Sequence, residues 1–82
     1  MQVINKTSHP LKILGGTLRP NAARSYELKT FDSLHISCKM GRCIIITENG
    51  KRRIRNHGRL EAREGSKKDE NGRKVILVFA RN

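Results

Sequence analysis

The segment LHISCKMGRCIIITENGKRRIRN (residues 34–56) contains both cysteines and the densest group of basic side chains in the chain. Its first six residues alternate apolar and polar side chains, the period-2 pattern of a strand with one buried face. Met40-Gly41 predicts a turn, and the β-branched run that follows favours a second strand over residues 42–48. Asn49-Gly50 is a strong hairpin signal because both residues tolerate positive φ. Residues 51–56 then return as a cationic strand, so the segment predicts a three-stranded meander.

Five further short strands are predicted outside this segment, separated by turns rich in Gly, Pro and Asn. A helix and a strand both remain open at residues 22–28 and 59–64, where the strand is favoured. The run at residues 75–79 is apolar on both faces, which is typical of a central strand. The five segments are residues 2–5, 11–14, 22–28, 59–64 and 73–81.

Two loops complete the predicted fold. Residues 65–72 (GSKKDENG) are polar throughout and predict an exposed hairpin tip, whereas Phe31 is expected to turn inward from its loop. The sequence therefore predicts a single all-β domain over residues 1–82, a small antiparallel sandwich or barrel of about seven to eight short strands, with a basic meander over residues 39–68.

Composition limits the core and points to an acidic partner. The 82 residues are 35% hydrophobic and 4% aromatic, so the core is thin and we expect stability to depend in part on a partner or on self-assembly. The net charge of +11 attracts nucleic acid, an acidic protein surface or anionic lipid. No apolar run approaches the length of a membrane span, and the first residues lack a signal-peptide pattern. We therefore expect synthesis in the cytoplasm and no membrane insertion.

Residues 39–68 hold ten basic side chains against three acidic ones, which predicts a polyanion-binding or partner-binding surface. Arginine suits carboxylate and phosphate equally, so the sequence leaves the choice open, and a basic surface that serves only solubility is the alternative. The aromatic residues lie outside this run, which argues against a base-stacking platform. The candidate residues are Lys39, Arg42, Lys51, Arg52, Arg53, Arg55, Arg59, Arg63, Lys67 and Lys68.

The two cysteines are a candidate cross-strand pair. A two-residue turn at Met40-Gly41 would place Cys38 directly opposite Cys43, within reach of a disulfide. A cytoplasmic origin instead favours two reduced, buried thiols.

Neither a metal site nor a catalytic site is expected. A zinc site would need two ligands besides the cysteines, and only His35 or His57 is available. His9, His35 and His57 accompany no nucleophile elbow or other catalytic motif, so we expect no cofactor and no enzyme activity.

The order V-I-N-x-T/S-x-x-P-L-x-I-x-G-G-x-L-x-P, followed by a polar strand and by a Gly before I-I-I-T-E, spans residues 3–48. It resembles short proteins from the structural gene clusters of tailed phages. The resemblance implies a non-enzymatic virion component, made in the host cytoplasm, that decorates the capsid or lies at the head–tail connection. Its partners would be a capsid or connector protein and copies of itself. Exposed edge strands, such as residues 2–5, could then extend a neighbour's sheet.

The leading alternative is a small nucleic-acid-binding module in the cytoplasm that contacts the phosphate backbone through residues 51–55 and 59–63. A virion subunit should bind protein and ignore free DNA at physiological salt, which separates the two functions. An inhibitor of a host enzyme also fits the size of the chain, although the positive charge argues against a DNA mimic.

Overall fold

A computed structural model describes residues 1–81 as nine strands in two sheets. The strands are β1 (Gln2–Asn5), β2 (Leu11–Ile13), β3 (Gly16–Leu18), β4 (Ala23–Ser25), β5 (Ser33–Cys38), β6 (Gly41–Glu48), β7 (Lys51–Gly58), β8 (Leu60–Glu64) and β9 (Val75–Ala80). One sheet has the order β4-β1-β9-β8 and the other has the order β3-β2-β5-β6-β7. The all-β fold predicted from sequence is confirmed, as a sandwich of these two sheets.

The two sheets share one hydrophobic core between their inner faces. In β6, for example, Cys43 and Ile45 are fully buried while Ile44 between them is only partly buried, because successive side chains of a strand point to opposite faces. The fully buried apolar side chains are Val3, Leu11, Leu34, Ile36, Cys43, Ile45, Leu60, Ile76 and Val78.

The strand inventory differs from the prediction in three ways. The ninth strand is β3, which pairs with β2 although the sequence predicted a turn there. Among the described residues, β1 pairs with β9 in parallel, so the sandwich is not wholly antiparallel. β1 also lies between β4 and β9, so the expectation that it is an open edge strand was wrong. The strand interpretations at β4 and β8 are confirmed, as is the central position of β9.

The meander of β5, β6 and β7 forms as predicted, but with a shifted first turn. Lys39 and Met40 form the turn, and the positive φ falls on the next residue, Gly41, at 151°. Cys38 therefore pairs with Gly41, and Cys43 pairs with Ile36. The second turn is at Asn49-Gly50, with φ of 49° and 78°, as predicted.

The shifted register overturns the predicted cysteine pair. Cys38 and Cys43 are diagonal neighbours instead of direct partners, and diagonal positions lie about 7–8 Å apart, beyond the reach of a disulfide. Both cysteines are free thiols. The register moves because Gly41 has to lie inside β6, where it passes close to Gly58 of β7.

Asn5 organises the loop between β1 and β2. Its side-chain Nδ2 donates hydrogen bonds to the carbonyl oxygens of His9 at 2.8 Å and Leu18 at 2.9 Å. Its Oδ1 accepts from the backbone N of Thr7 at 2.9 Å and from the Thr7 hydroxyl at 2.7 Å. Asn5 is fully buried, and these bonds satisfy its amide, so the loop leading to Pro10 is held against β3.

The expectation that Phe31 turns inward was wrong, since its side chain is 79% exposed. The backbone N of Asp32 donates to the carbonyl oxygen of Lys29 at 3.1 Å, and the Asp32 carboxylate accepts from the backbone N of Lys29 at 3.0 Å. Phe31 lies inside this tight turn, whose side chains project away from the sheets.

Candidate partner-binding face

Strand alternation assembles a cationic surface on the outer side of the five-stranded sheet. Cross-strand partners point to the same side of a sheet, and Cys43 and Ile45 point inward, so their neighbours in β6 point outward together with their partners in β7. Lys12 of β2 joins them through Ser37 of β5. We define the basic face as Lys12, Arg42, Ile44, Ile46, Glu48, Lys51, Arg53, Arg55 and His57.

The charge of the basic face is strongly unbalanced, with five Lys or Arg side chains and a single carboxylate, Glu48. Arg53 Nη2 lies 2.6 Å from Glu48 Oε2, in a pair whose side chains are 59% and 50% exposed. Such an exposed pair contributes about 0.2–1 kcal/mol. No ion pair within residues 1–81 involves Arg42, Lys51 or Arg55, so these three charges are available to a partner.

Two isoleucines form the centre of the basic face. Ile44 lies between His35 of β5 and Arg55 of β7, and both isoleucine side chains are only partly buried. Ile46 lies between Ser33 and Arg53 in the neighbouring row. The face therefore has an apolar centre with arginines on its β7 side and polar side chains on its β5 side, a combination that protein interfaces share.

The structure brings four of the ten basic residues predicted from sequence onto this face, namely Arg42, Lys51, Arg53 and Arg55, and distributes the others elsewhere. Arg52 points to the inner side beside Thr47, and its Nη1 is buried without a hydrogen-bond partner in the described part of the chain. Lys39 lies in the β5–β6 turn and Arg59 at the corner between β7 and β8, while Arg63 is on the other sheet and Lys67 and Lys68 are in the β8–β9 loop.

Arg63 is engaged in contacts within its own sheet. Its Nη2 donates to Glu61 Oε2 at 3.0 Å, and its guanidinium carbon lies 5.3 Å from the centre of the Phe79 ring. The hydrogen bond from Arg63 lowers the pKa of Glu61, and the carboxylate in turn raises the pKa of Arg63. Arg63 is thus less available to a partner than Arg42 and Arg55 of the basic face, which form no ion pair within residues 1–81.

Sequence reasoning missed Lys12, which reaches the basic face because β2 pairs with β5. Alternation in residues 11–13 places Lys12 on the side opposite the buried Leu11 and Ile13, but only the strand order shows what lies beside it. Lys12 also lines a cleft of about 580 Å³ at one end of the face, together with His9, Pro10, Thr17, Ser37, Cys38 and Lys39.

The thiols and histidines show no sign of shared chemistry. Burial, together with the nearby Cys38, raises the pKa of Cys43 from 9.0 to about 12, so its thiol stays protonated at neutral pH. Within residues 1–81 no group of three His, Cys, Asp or Glu side chains could hold a metal ion. The same residues include no helix of the length and apolarity needed to cross a membrane.

Fold and face together define a small β-sandwich with one cationic sheet surface. No protein-family model matches the chain, and no curated protein and no solved structure matches it either.

Proposed function

We propose that this chain is a non-enzymatic assembly protein that docks onto an acidic protein surface through its basic face. The resemblance of residues 3–48 suggests the setting, a tailed-phage particle in which the chain decorates the capsid or joins head to tail. The observation that carries the proposal is the position of Ile44 and Ile46, partly exposed at the centre of a surface that carries five Lys or Arg side chains and one carboxylate.

The apolar centre favours a protein partner over nucleic acid. Protein interfaces combine an apolar, water-excluding centre with arginines and a polar rim, and Ile44 and Ile46 provide such a centre. Phosphate-backbone binding needs no exposed aliphatic side chains, and base stacking needs aromatic ones. The outward side chains of the five-stranded sheet include the imidazoles of His35 and His57 but no Phe, Tyr or Trp. The five cations alone would still suit a phosphate backbone, which keeps the nucleic-acid module as the second candidate.

The Lys and Arg side chains of the basic face would contribute mainly to recognition of the partner and to the rate of association. Carboxylates on the partner would be attracted over distances of about 8–10 Å at physiological salt. Arg42 and Arg55, whose guanidinium groups have no ion-pair partner in the described chain, could then form two-pronged hydrogen bonds with Asp or Glu side chains.

Assembly between copies would use the opposite side of the sandwich. There Ile4, Val75, Leu77 and Phe79 are partly exposed on the outer face of the four-stranded sheet, with Ile4 and Leu77 as direct partners. The two charged side chains that β8 presents on this side, Arg63 and Glu61, are paired at 3.0 Å. A second copy can therefore approach this side without meeting the net charge of the basic face.

The proposal is tested by salt titrations of binding to labelled poly-L-glutamate and to a labelled DNA duplex. The test variant is Arg53→Ala/Arg55→Ala, and the matched control is Lys67→Ala/Lys68→Ala, which removes the same charge from a loop away from the basic face. At about 150 mM salt we expect poly-L-glutamate to bind, the test variant to weaken it about tenfold and the control to change it less than about twofold.

Two outcomes would contradict the proposal. Duplex binding that persists at the same salt, with a salt dependence that the test variant reduces, would instead support the nucleic-acid module. Equal weakening by both variants would show that net charge, not the basic face, governs binding. The proposed place in a phage particle has a separate test, which is mass spectrometry of particles purified from the source organism. If the chain is absent from these particles, it is not a virion component.

A further inference from the structure

One end of the basic face is hollow. The cleft of about 580 Å³ adjoins a second hollow around the β5–β6 turn, and Ser37, Cys38 and Lys39 line both. A volume of this size falls within the range of about 300–1,000 Å³ typical of small-molecule sites.

Every ionisable side chain that lines these two hollows, apart from the thiol of Cys38, is basic. Lys12, Lys39 and Arg42 supply three permanent charges, and His9 and His57 supply two imidazoles. No Asp or Glu is among the lining residues, and the two lysines and Arg42 are exposed to solvent. Because no acidic side chain lines the two hollows, an anion that enters the cleft would meet no electrostatic repulsion from its walls.

The register of the sheet places one hydroxyl group, that of Ser37, between Lys12 and Arg42 and a second, that of Thr17, beside Lys12. Thr17 pairs with Lys12, Lys12 with Ser37, Ser37 with Arg42, and Arg42 with His57, so the five residues form one row across five strands. Strands lie about 4.8 Å apart, which puts the backbones of Lys12 and Arg42 about 10 Å from each other. Ser37 between them is small, so the long cationic side chains can converge above it.

The remaining wall of the cleft is held in place. The carbonyl oxygen of His9 accepts a hydrogen bond from Asn5 Nδ2 at 2.8 Å, and the backbone N of His9 donates to the Thr7 hydroxyl at 3.2 Å. These partly buried contacts hold His9 and the adjoining Pro10 in place before any ligand arrives, which lowers the entropic cost of binding.

We infer that this cleft binds the phosphate group of a small phosphomonoester, of about nucleotide size. A phosphate dianion offers three oxygens to Lys12 and Lys39 of the cleft, to Arg42 of the adjoining hollow and to the two hydroxyls, whereas a single carboxylate offers two. The volume beyond the phosphate has room for the organic group, against Pro10 and the aliphatic stems of the lysines. The cleft shares Lys12, Arg42 and His57 with the basic face but needs neither Arg53, Arg55 nor the isoleucines, so the two proposals can be tested separately.

The test is a titration of the ¹⁵N-labelled protein, followed by the backbone amide spectrum, with adenosine 5′-monophosphate and with adenosine. We expect the monophosphate to shift amides of residues 9–17 and 37–42, and adenosine to shift none of them. Lys12→Ala/Lys39→Ala should weaken monophosphate binding about tenfold or more, while the matched control Lys67→Ala/Lys68→Ala should change it less than about twofold. Arg42→Gln serves as a second variant, and each amide spectrum reports whether its variant is folded.

Equal shifts with adenosine, equal weakening by the control, or shifts confined to residues 51–57 would overturn the inference. A parallel titration with a 5′-phosphorylated and a 5′-hydroxyl oligonucleotide separates two sources of the same group. If the phosphorylated strand binds like the monophosphate, the phosphate comes from a nucleic-acid end, and if only the monophosphate binds, it comes from a free metabolite. A failed poly-L-glutamate experiment would leave this result unaffected.

Discussion

Gly41 and Gly58 are direct partners across β6 and β7, and their backbones approach more closely than any side chain would allow. A Cβ atom on Gly41 would lie 2.1 Å from the carbonyl oxygen of His57, and one on Gly58 would lie 2.5 Å from that of Met40. The backbone N of Arg59 donates to the Met40 carbonyl at 2.9 Å just beyond this contact. The glycine pair thus closes the end of the meander and lets β7 turn the corner into β8.

Alanine at Gly58 should therefore destabilise the protein by about 2–4 kcal/mol, because the φ of 74° is strained for alanine and the new methyl group meets backbone atoms. Gly50 is the matched control, since its φ is 78° but nothing lies within 4 Å of a Cβ there. Gly50→Ala should cost only about 1–2 kcal/mol. Urea unfolding of both variants measures the difference, and equal losses would argue against the close approach.

The run of isoleucines in β6 provides a direct test of which face is inward. Ile45 is fully buried, so Ile45→Ala should lower the free energy of unfolding by about 2–5 kcal/mol. Ile44 is partly exposed on the basic face, so Ile44→Ala should cost less than about 1.5 kcal/mol. The comparison uses the same substitution in adjacent positions of one strand. If Ile44→Ala lowered the free energy of unfolding more than Ile45→Ala, then Ile44, not Ile45, would point into the core.

Ionisation of the Cys43 thiol makes the free energy of unfolding depend on pH in the alkaline range. Its pKa is raised to about 12 in the folded protein by burial, above the 9.0 expected after unfolding, so the folded state holds the proton more tightly. This contribution is present below about pH 9 and is lost as the pH rises towards about 12. Between about pH 8 and pH 10, the free energy of unfolding should therefore fall more for the native protein than for Cys43→Val. Parallel pH profiles for the two proteins would count against a buried thiol.

The apolar side of the four-stranded sheet should mediate self-association. Leu77 is partly exposed there and pairs with Ile4, so Leu77→Lys places a charge at the centre of the contact between copies. In sedimentation velocity we expect the native protein to associate with rising concentration and Leu77→Lys to remain a monomer. Ile44→Lys adds the same charge to the opposite side and should leave association unchanged. If both variants associate like the native protein, the copies meet elsewhere.

Local signals predicted most of the strands. Alternation identified β5 and β8, and the Asn49-Gly50 turn fixed the pairing of β6 with β7. The same turn implies that Arg52 pairs with Thr47 and points inward, so its separation from the basic face was within reach of the sequence. The three residues of β3 are too few for a periodic pattern, and only pairing with β2 makes them a strand.

Long-range contacts determine the features of the fold that local sequence patterns could not predict. The role of Gly41 depends on Gly58, which is brought beside it only when β7 folds back, so the first turn was placed one residue too late and the cysteines were wrongly paired. Lys12 joins the basic face and the cleft because β2 lies next to β5, and nothing local to residues 11–14 indicates that neighbour.

The docking face is tested most directly by a methyl NMR titration of the isoleucine-labelled protein with poly-L-glutamate at about 150 mM salt. Ile44 and Ile46 are the reporters on the basic face, and the fully buried Ile36 and Ile45 are internal controls. We expect the Ile44 and Ile46 methyl signals to shift and to saturate together, while those of Ile36 and Ile45 stay in place. Shifts at Ile4, on the opposite sheet, with Ile44 and Ile46 unmoved would contradict docking through the basic face.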